Sequence, residues 1–211
     1  MKKEPALLPL VRIVCKGVLK LVFPYEVQNG NSLPEDKAMI VCGNHISNID
    51  PVFVNATQNR LLHFMAKKEL FKNKLFAKLI ISLGAFPVSR GNDGGKAIGN
   101  AEELLKDDNC VGIFIEGTRS KTGELGRPHS GAVVIAHATN TPILPCCITG
   151  RKGNFIKPFT KTKITYGKPV TCEELGVKEG NPLEYRAASV KLMEIISELR
   201  KEHREEFDDK R

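Results

Sequence analysis

Short unbroken runs of apolar residues alternate along the chain with longer stretches in which apolar residues recur at helical spacing. The runs predict buried strands, and the longer stretches predict helices with one apolar side. Strands are predicted at residues 38–42, 63–66, 84–90, 111–115, 142–148 and 163–166. Helices are predicted from Pro51, at residues 67–83, 96–105 and 131–138, and from Pro182 until the chain frays at Lys201. This alternation indicates an α/β protein with a single mixed, partly parallel sheet flanked by helices.

The first apolar stretch, residues 6–23, carries cations at regular intervals. Arg12, Lys16 and Lys20 are four positions apart, which places them in one stripe on an otherwise apolar helix. This pattern is typical of a helix in the lipid headgroup region, although a core-packed helix with a solvated edge also fits it. No uncharged run approaches the ~18 residues of a membrane span. We therefore expect residues 1–30 to form an amphipathic membrane-interface segment and residues 31–211 an α/β domain.

The charge of the chain narrows the classes of partner. A formal net charge of +8 favours an anionic partner, which could be a phosphorylated small molecule, a membrane surface or nucleic acid. Trp is absent and only three Tyr occur, so the aromatic platforms of single-strand binders are scarce and we expect no nucleic acid. Residues 67–83 place lysines opposite an apolar side, which is compatible with lipid contact or with a core-packed helix.

The six cysteines show no C-x-x-C pair and no spacing typical of zinc sites. Several of them lie inside apolar runs, where a cysteine behaves as a small hydrophobic residue. We interpret them as reduced and buried, which is the state expected in the cytosol. Together with the N-terminal pattern, this predicts a protein on the cytoplasmic face of a membrane, attached peripherally or monotopically.

The stretch from residue 44 to residue 51 carries the clearest candidate chemistry. His45 precedes Asp50 by five positions, a spacing that would place the two side chains on different faces of a helix. Ser47, Asn48 and the Asp50-Pro51 pair favour a bend that would bring them together instead. A histidine oriented by a carboxylate is a general base with a pKa near neutrality. His45 also follows a predicted buried strand, and the ends of such strands commonly carry the chemistry of α/β proteins.

A second polar cluster follows the strand at residues 111–115. Its glycine permits a sharp turn and close approach of a ligand, its arginine suits a phosphate, and its hydroxyl groups add donors. The cluster consists of Glu116, Gly117, Thr118, Arg119 and Ser120. Arg90 ends another predicted strand, and it would lie at the same edge of the sheet if the strands run parallel.

Four motifs in order give the chain a resemblance to a known family. They are residues 44–51 (NHISNIDP), 84–90 (GAFPVSR), 114–120 (FIEGTRS) and 142–146 (PILPC). The sequence resembles the glycerolipid acyltransferases over roughly residues 38–168, and within them the enzymes that acylate 1-acylglycerol 3-phosphate. Each motif alone would be weak evidence, whereas all four in the family's order are highly specific.

The resemblance implies a role for each matched residue. It implies that His45 and Asp50 are catalytic and that the second and third motifs bind the glycerol phosphate of the acceptor. The acceptor-binding residues would be Arg90, Glu116, Gly117, Thr118, Arg119 and Ser120. The fourth motif would form the acyl side of the site through Pro142, Ile143, Leu144 and Pro145. His129 stands where the family usually has a lysine, a departure that bears on acceptor choice.

The implied reaction transfers a fatty acyl group from a thioester to the sn-2 hydroxyl of 1-acylglycerol 3-phosphate (lysophosphatidic acid), giving phosphatidic acid for phospholipid biosynthesis. The donor would be acyl-coenzyme A or an acyl carrier protein, and we expect neither a metal nor another cofactor. The expected partners are therefore this donor, lysophosphatidic acid and a membrane phospholipid surface.

Three alternatives stay open at this point. The acceptor could be glycerol 3-phosphate, another lysophospholipid or a lysolipid-like amine. The chain could instead be a non-catalytic membrane-surface protein that binds phosphorylated lipids through its basic helices. A His/Asp metal hydrolase is the weakest of the three, because no second set of ligands lies nearby in the sequence.

Overall fold

The computed structural model describes residues 8–88, 94–150 and 155–209, which form one sheet with helices on both faces. The seven strands are β1 (Tyr25–Gln28), β2 (Met39–Gly43), β3 (Leu62–Lys67), β4 (Ala85–Val88), β5 (Cys110–Phe114), β6 (Ile143–Gly150) and β7 (Thr162–Tyr166). The helices are α1 (Leu8–Val22), α2 (Asp50–Ala56), α3 (Lys74–Ser82), α4 (Gly94–Lys106), α5 (Gly131–Thr139) and α6 (Pro182–Asp209).

The strands are arranged in the order β1-β7-β6-β2-β5-β3-β4. From β6 to β4 all neighbours run parallel, whereas β7 runs antiparallel to β6 and β1 runs parallel to β7. The predicted mixed, partly parallel sheet is therefore confirmed. Because the carboxyl ends of parallel strands meet at one edge of a sheet, the segments that follow β2, β3, β4 and β5 leave the sheet at the same edge.

Both faces of the central strands are buried, and β2 shows how the two cores are divided. Ile40 and Cys42 belong to a core formed with α4, α5 and α6, whereas Met39 and Val41 belong to the opposite core with α1 and α2. Successive residues of a strand point to opposite faces, so a strand covered on both sides is apolar at every position. This explains why β2 reads as an unbroken apolar run rather than as an alternating one.

The predicted single helix over residues 67–83 is wrong. The structure divides it into a 3-10 turn at Lys68–Phe71 and helix α3, and Asn73 lies between them. The Asn73 side chain accepts hydrogen bonds from the backbone N–H groups of Leu75 and Phe76, so it caps a new helix. Helical periodicity alone does not register this interruption, because the apolar spacing continues across it.

Both ends of the chain also depart from the prediction. Strand β1 lies within the expected membrane segment and pairs with β7, so the boundary at residue 30 does not coincide with an edge of the folded domain. Helix α6 continues to Asp209 instead of fraying at Lys201. The charged residues of this tail are mostly Glu, Lys and Arg, which have high helix propensity.

Helix α1 contributes little to the core. Among its described side chains only Leu19 is buried, whereas Ile13, Val14, Val18 and Leu21 are 54–76% exposed. Lys16 and Lys20 are also exposed, and the side chain of Arg12 lies outside the described part of the structure. No helix in the described residues combines the length and apolarity needed to cross a membrane.

Helix α3 exposes apolar side chains as well. Leu75 is 81% exposed, and Phe76, Leu79 and Ile81 are 43–54% exposed. Its lysines, Lys74 and Lys78, are also exposed. The interpretation of this segment as a core-packed helix with a solvated lysine face therefore does not hold for α3, since only Ala77 is buried.

Strand β4 forms one edge of the sheet and contains Pro87. The carbonyl of Gly84 accepts a hydrogen bond from the Phe64 backbone N–H, so the backbone of Gly84 faces β3. Because the hydrogen-bonding direction alternates along a strand, the backbone of Pro87 faces away from β3. Proline has no N–H to donate, and this outward position of an edge strand is one that tolerates it.

Candidate active site

The chain leaves the sheet after β2 in a fixed direction, because Asn44 extends the contact with β6. The Asn44 amide group donates to the Ile148 carbonyl at 2.9 Å and accepts from the Ile148 N–H at 2.8 Å. Asn44 is 1% exposed, so its side chain replaces one rung of the backbone ladder inside the protein. The next residue, His45, is therefore the first one free to turn away from the sheet.

The turn that follows brings His45 and Asp50 into contact, as the sequence predicts. Nδ1 of His45 lies 2.7 Å from Oδ2 of Asp50. The backbone N–H groups of Ile46 and Ser47 donate to the same oxygen at 2.7 and 2.8 Å. Two backbone donors identify this oxygen as an acceptor, so Nδ1 carries a proton, and in the neutral imidazole Nε2 then has a free lone pair. That tautomer is the one a general base requires.

The two members of this pair differ in their surroundings. The side chain of Asp50 is fully buried, and that of His45 retains 17% of its exposed surface. Burial raises the pKa of Asp50, and the hydrogen bonds from His45, Ser47 and Ile46 oppose this rise. The other carboxylate oxygen, Oδ1, is buried and has no hydrogen-bond partner among the described residues. The hydrogen bonds that this carboxylate accepts from described residues thus all go to Oδ2, and all come from the His45 turn.

Phe114 is a second partner of the His45 ring that the sequence analysis did not identify. The two rings are stacked with their centroids 4.0 Å apart and an angle of 6° between their planes. Phe64 in turn lies 5.4 Å from Phe114, in a near-stacked arrangement. An aromatic face stacked on an imidazole restricts the orientation of its ring. The signal in the sequence is slight, because Phe114 is simply the last residue of β5, where it pairs with Gly43.

Glu116 holds the His45 turn from the neighbouring strand end. Its Oε1 accepts the His45 backbone N–H at 3.0 Å, and its Oε2 accepts the Gly126 N–H at 2.9 Å. The side chain is buried, and a Cβ on residue 126 would lie 2.7 Å from Oε2, so a glycine is needed there. Both carboxylate oxygens are therefore occupied by the protein. Contact between Glu116 and an acceptor stays a prediction.

The other residues of the cluster after β5 differ in whether they make hydrogen bonds to the rest of the protein. The Ser120 N–H donates to the His45 carbonyl at 2.8 Å, and Gly117 has a left-handed backbone with φ of +63°. Thr118 and Arg119 are exposed and make no hydrogen bond or ion pair with the described residues. Arg90 lies outside the described residues. The predicted shared edge is thus observed for His45 and the cluster after β5.

The residues predicted for the acyl side lie immediately before β6 and within it. Pro142 precedes β6, and Leu144 pairs with Val41, four residues before His45, or about 13 Å along the strand. Ile143 and Leu144 are fully buried in the two opposite cores. Contact between these predicted residues and an acyl chain stays a prediction.

The described part of the chain also contains cysteines and potential metal ligands. Of the five cysteines whose side chains are described, four are buried, and none of the five is part of a disulfide. The described residues include no group of three or more His, Cys, Asp or Glu placed to hold a metal ion. The chemistry available at this edge is a buried carboxylate, an imidazole, an aromatic ring and a solvent-exposed arginine.

Comparison with known proteins places this geometry in context. A model of a family described as Acyltransferase matches residues 24–149. The 1-acyl-sn-glycerol-3-phosphate acyltransferase of Bacillus subtilis is 33% identical over 162 residues, which are 74% of this chain and 80% of the relative. That of Streptococcus pneumoniae is 31% identical over 159 residues, and the match spans 54% of its length. The crystal structure of a 1-acyl-sn-glycerophosphate acyltransferase from Thermotoga maritima is similar at a TM-score of 0.69 and 25% identity, covering 91% of this chain and 79% of that one.

Proposed function

Because this chain belongs to the acyltransferase family, we propose that it transfers a fatty acyl group from a thioester to the sn-2 hydroxyl of 1-acylglycerol 3-phosphate, giving phosphatidic acid. The observation that carries the proposal is the 2.7 Å contact between His45 Nδ1 and a fully buried Asp50. The names of the similar proteins from B. subtilis and S. pneumoniae support this acceptor.

The proton transfers follow from the tautomer of His45. Nε2 removes the proton of the acceptor hydroxyl as its oxygen attacks the thioester carbonyl. Asp50 stabilises the imidazolium that forms through the hydrogen bond to Nδ1. When the tetrahedral intermediate collapses, the carbon–sulfur bond breaks and the thiolate takes the proton from Nε2. An ester and a free thiol leave the site, and His45 is neutral again.

Acceptor binding is assigned to the exposed groups after β5. Arg119 offers a planar guanidinium to the phosphate, and Thr118 offers a hydroxyl donor beside it. The Ser120 N–H ties this segment to the His45 carbonyl. An acceptor whose phosphate is bound here would therefore have its free hydroxyl near the base. Arg90 would complete the phosphate site from the end of β4.

The test is thiol release with lysophosphatidic acid as acceptor, measured for the native protein and for His45→Ala. The donors are long-chain acyl-coenzyme A and acylated carrier protein in separate assays, and glycerol 3-phosphate and a lysophospholipid without a phosphomonoester are the comparison acceptors. We expect release that requires lysophosphatidic acid and falls at least ~10³-fold in His45→Ala. His137→Ala is the control, because that histidine lies on α5 and is hydrogen-bonded to Tyr185.

Each other outcome has a defined meaning. Turnover by a folded His45→Ala protein would overturn the assignment of the base. Release that prefers glycerol 3-phosphate or the other lysophospholipid would change the acceptor but keep the mechanism. Vesicle binding without thiol release from either donor would favour the non-catalytic lipid-binding alternative.

We also infer that α1 attaches the protein peripherally to the cytoplasmic face of an anionic phospholipid surface. The inference is supported by the exposed Ile13, Val14, Val18 and Leu21, by the lysines beside them and by the net charge of +8. The test is cosedimentation with vesicles containing phosphatidylglycerol, comparing Leu21→Ser with Leu183→Ser. Both leucines are 76% exposed, but Leu183 lies on α6, so only Leu21→Ser should weaken binding. Equal losses would contradict the inference.

A further inference from the structure

Arg200 lies on α6, beyond the family match that ends at residue 149, and its side chain is 7% exposed. Its guanidinium makes two contacts with one loop. Nη1 donates to Oε2 of Glu124 at 2.9 Å, and Nη2 donates to the Gly123 carbonyl at 2.6 Å. A buried cation requires such partners, and the planar guanidinium suits a pair of acceptors in fixed positions.

The loop that Arg200 contacts is connected to the catalytic turn. The Ser120 hydroxyl donates to the Glu124 carbonyl at 2.7 Å, and the Ser120 N–H donates to the His45 carbonyl at 2.8 Å. A continuous series of contacts therefore runs from the guanidinium through residues 123–124 and Ser120 to the backbone of His45. The two Ser120 bonds are of ordinary length, and the Arg200 contacts, at 2.9 and 2.6 Å, are assisted by charge.

Besides the Arg200 contacts, this loop is held by the Glu124 N–H, which donates to Thr122 Oγ1 at 3.3 Å, and by the Gly126 N–H, which donates to Glu116 Oε2 at 2.9 Å. Lys121, Thr122 and Glu124 are exposed, whereas Gly123 is buried beneath the guanidinium with a left-handed φ of +77°. Leu125 is partly buried against the core next to α6. A segment of mostly exposed residues is prone to local opening unless specific contacts fix it. Arg200 supplies two such contacts from a rigid helix.

We propose that Arg200 is a positioning residue for the reaction proposed above: it fixes residues 120–124 so that the Ser120 amide holds the His45 carbonyl. The proposal rests on the proposed function, and it makes α6 part of the catalytic apparatus although α6 lies outside the matched family region. Arg200 itself does not contact the His45–Asp50 pair through any of these bonds, so its effect passes through Ser120.

The first variants are Arg200→Met and Arg200→Lys, assayed for kcat and KM separately. We expect Arg200→Met to lower kcat about ten- to hundredfold with a smaller change in KM, because displacement of a base by a fraction of an ångström slows the chemical step. Arg200→Lys keeps the charge and one contact to Glu124, so it should recover part of kcat. A merely structural role would not give this recovery at an unchanged melting temperature.

Two controls on the same helix separate positioning from general effects. Arg186→Met removes an exposed arginine and reports the effect of charge loss on α6. Ile196→Val trims a fully buried side chain one turn from Arg200 and reports the effect of destabilising α6. Neither should lower kcat by more than about twofold.

A double-mutant cycle tests the path itself. Ser120→Ala removes the hydroxyl bond to the Glu124 carbonyl but keeps the backbone N–H that contacts His45. If the effect of Arg200 passes through this residue, the loss in the double variant will be smaller than the product of the two single losses. Fully multiplicative losses would overturn the assigned path.

A measurement without turnover keeps this proposal distinct from the proposed function. Hydrogen exchange of the Ser120 amide reports the bond to His45 directly, and it should accelerate at least tenfold in Arg200→Met but not in Arg186→Met. Unchanged exchange, or faster exchange with native kcat, would overturn the positioning role. If the native protein released no thiol at all, the proposed function would fail, and the exchange result would still decide the link between Arg200 and the His45 turn.

Discussion

The His45 turn and the Thr118–Arg119 segment both follow parallel strands at one edge of the sheet, yet they are organised in opposite ways. The His45 turn is held by protein groups on several sides, since Asp50, Glu116 and the Ser120 amide all contact it. Thr118 and Arg119 are exposed and have no partner among the described residues. In the proposed mechanism the base is thus built in advance, and the groups proposed to bind an anionic acceptor are left in water.

This difference has a physical reason. A general base must hold its tautomer and direction within narrow limits, so burial and short hydrogen bonds are favourable there. An arginine that binds a substrate phosphate would lose that capacity if a protein carboxylate already occupied it. Substitutions in the turn should therefore act on kcat, and substitutions in the exposed segment should act on KM.

The largest effect is expected from Asp50→Asn, which alters the His45 turn. An amide in place of the carboxylate can no longer stabilise the imidazolium and favours the wrong tautomer of His45. We expect kcat to fall by about 10³- to 10⁴-fold with little change in KM. Steady-state kinetics check this, with circular dichroism to show that the variant is folded. A fall of less than tenfold would contradict the role assigned to the 2.7 Å contact.

A smaller effect, on KM instead, is expected from Arg119→Ala. Loss of a bidentate phosphate contact should raise KM for the phosphorylated acceptor about ten- to hundredfold while kcat changes little, and Arg119→Lys should lie between. Arg127→Ala is the matched control, since Arg127 is an exposed arginine of the same loop. If both alanine variants raised KM equally, the loop would act by diffuse charge alone, and a specific contact between Arg119 and the phosphate would be contradicted.

The smallest effect concerns the free energy of unfolding, which should depend on pH through Asp50. Because its pKa is raised in the folded protein, the native state retains the proton to higher pH than the unfolded state. Above the ordinary carboxyl pKa the native state thus binds more protons, and the free energy of unfolding falls as pH rises. As pH rises, the free energy of unfolding of the unmutated protein should fall, relative to that of Asp50→Asn, by at most about 1.4 kcal/mol per pH unit. Urea titrations between about pH 4 and pH 7 measure this difference, and a constant difference would contradict it.

The sequence was sufficient for the central sheet and for the contact between His45 and Asp50. Strands β2, β5 and β6 are apolar at consecutive positions, so they could be found without knowing their neighbours. The contact between His45 and Asp50 was predictable because turn-forming residues lie between them. Strand β1 was missed because only four residues form it and its pairing partner, β7, lies more than a hundred residues away.

The parts of the site that were not predicted depend on long-range contacts. Glu116 was identified by its motif. That its carboxylate accepts hydrogen bonds from the backbone N–H groups of His45 and Gly126 follows from the register of β2 with β5. The stacking of Phe114 on His45 has the same origin. Arg200 carried no signal at all, because one arginine in a charged helix is indistinguishable from its neighbours until the loop at residues 123–124 is placed against it.

The position of Pro87 has a consequence for how this protein behaves at high local concentration. An edge strand with a complete row of outward N–H groups can recruit a strand from another molecule, and sheets then grow into aggregates. At β4 the outward N–H is missing at Pro87, so a second chain added there would lose one bond of the ladder. If copies of this protein crowd on the lipid surface proposed above, they would thus meet an edge that resists intermolecular strand pairing.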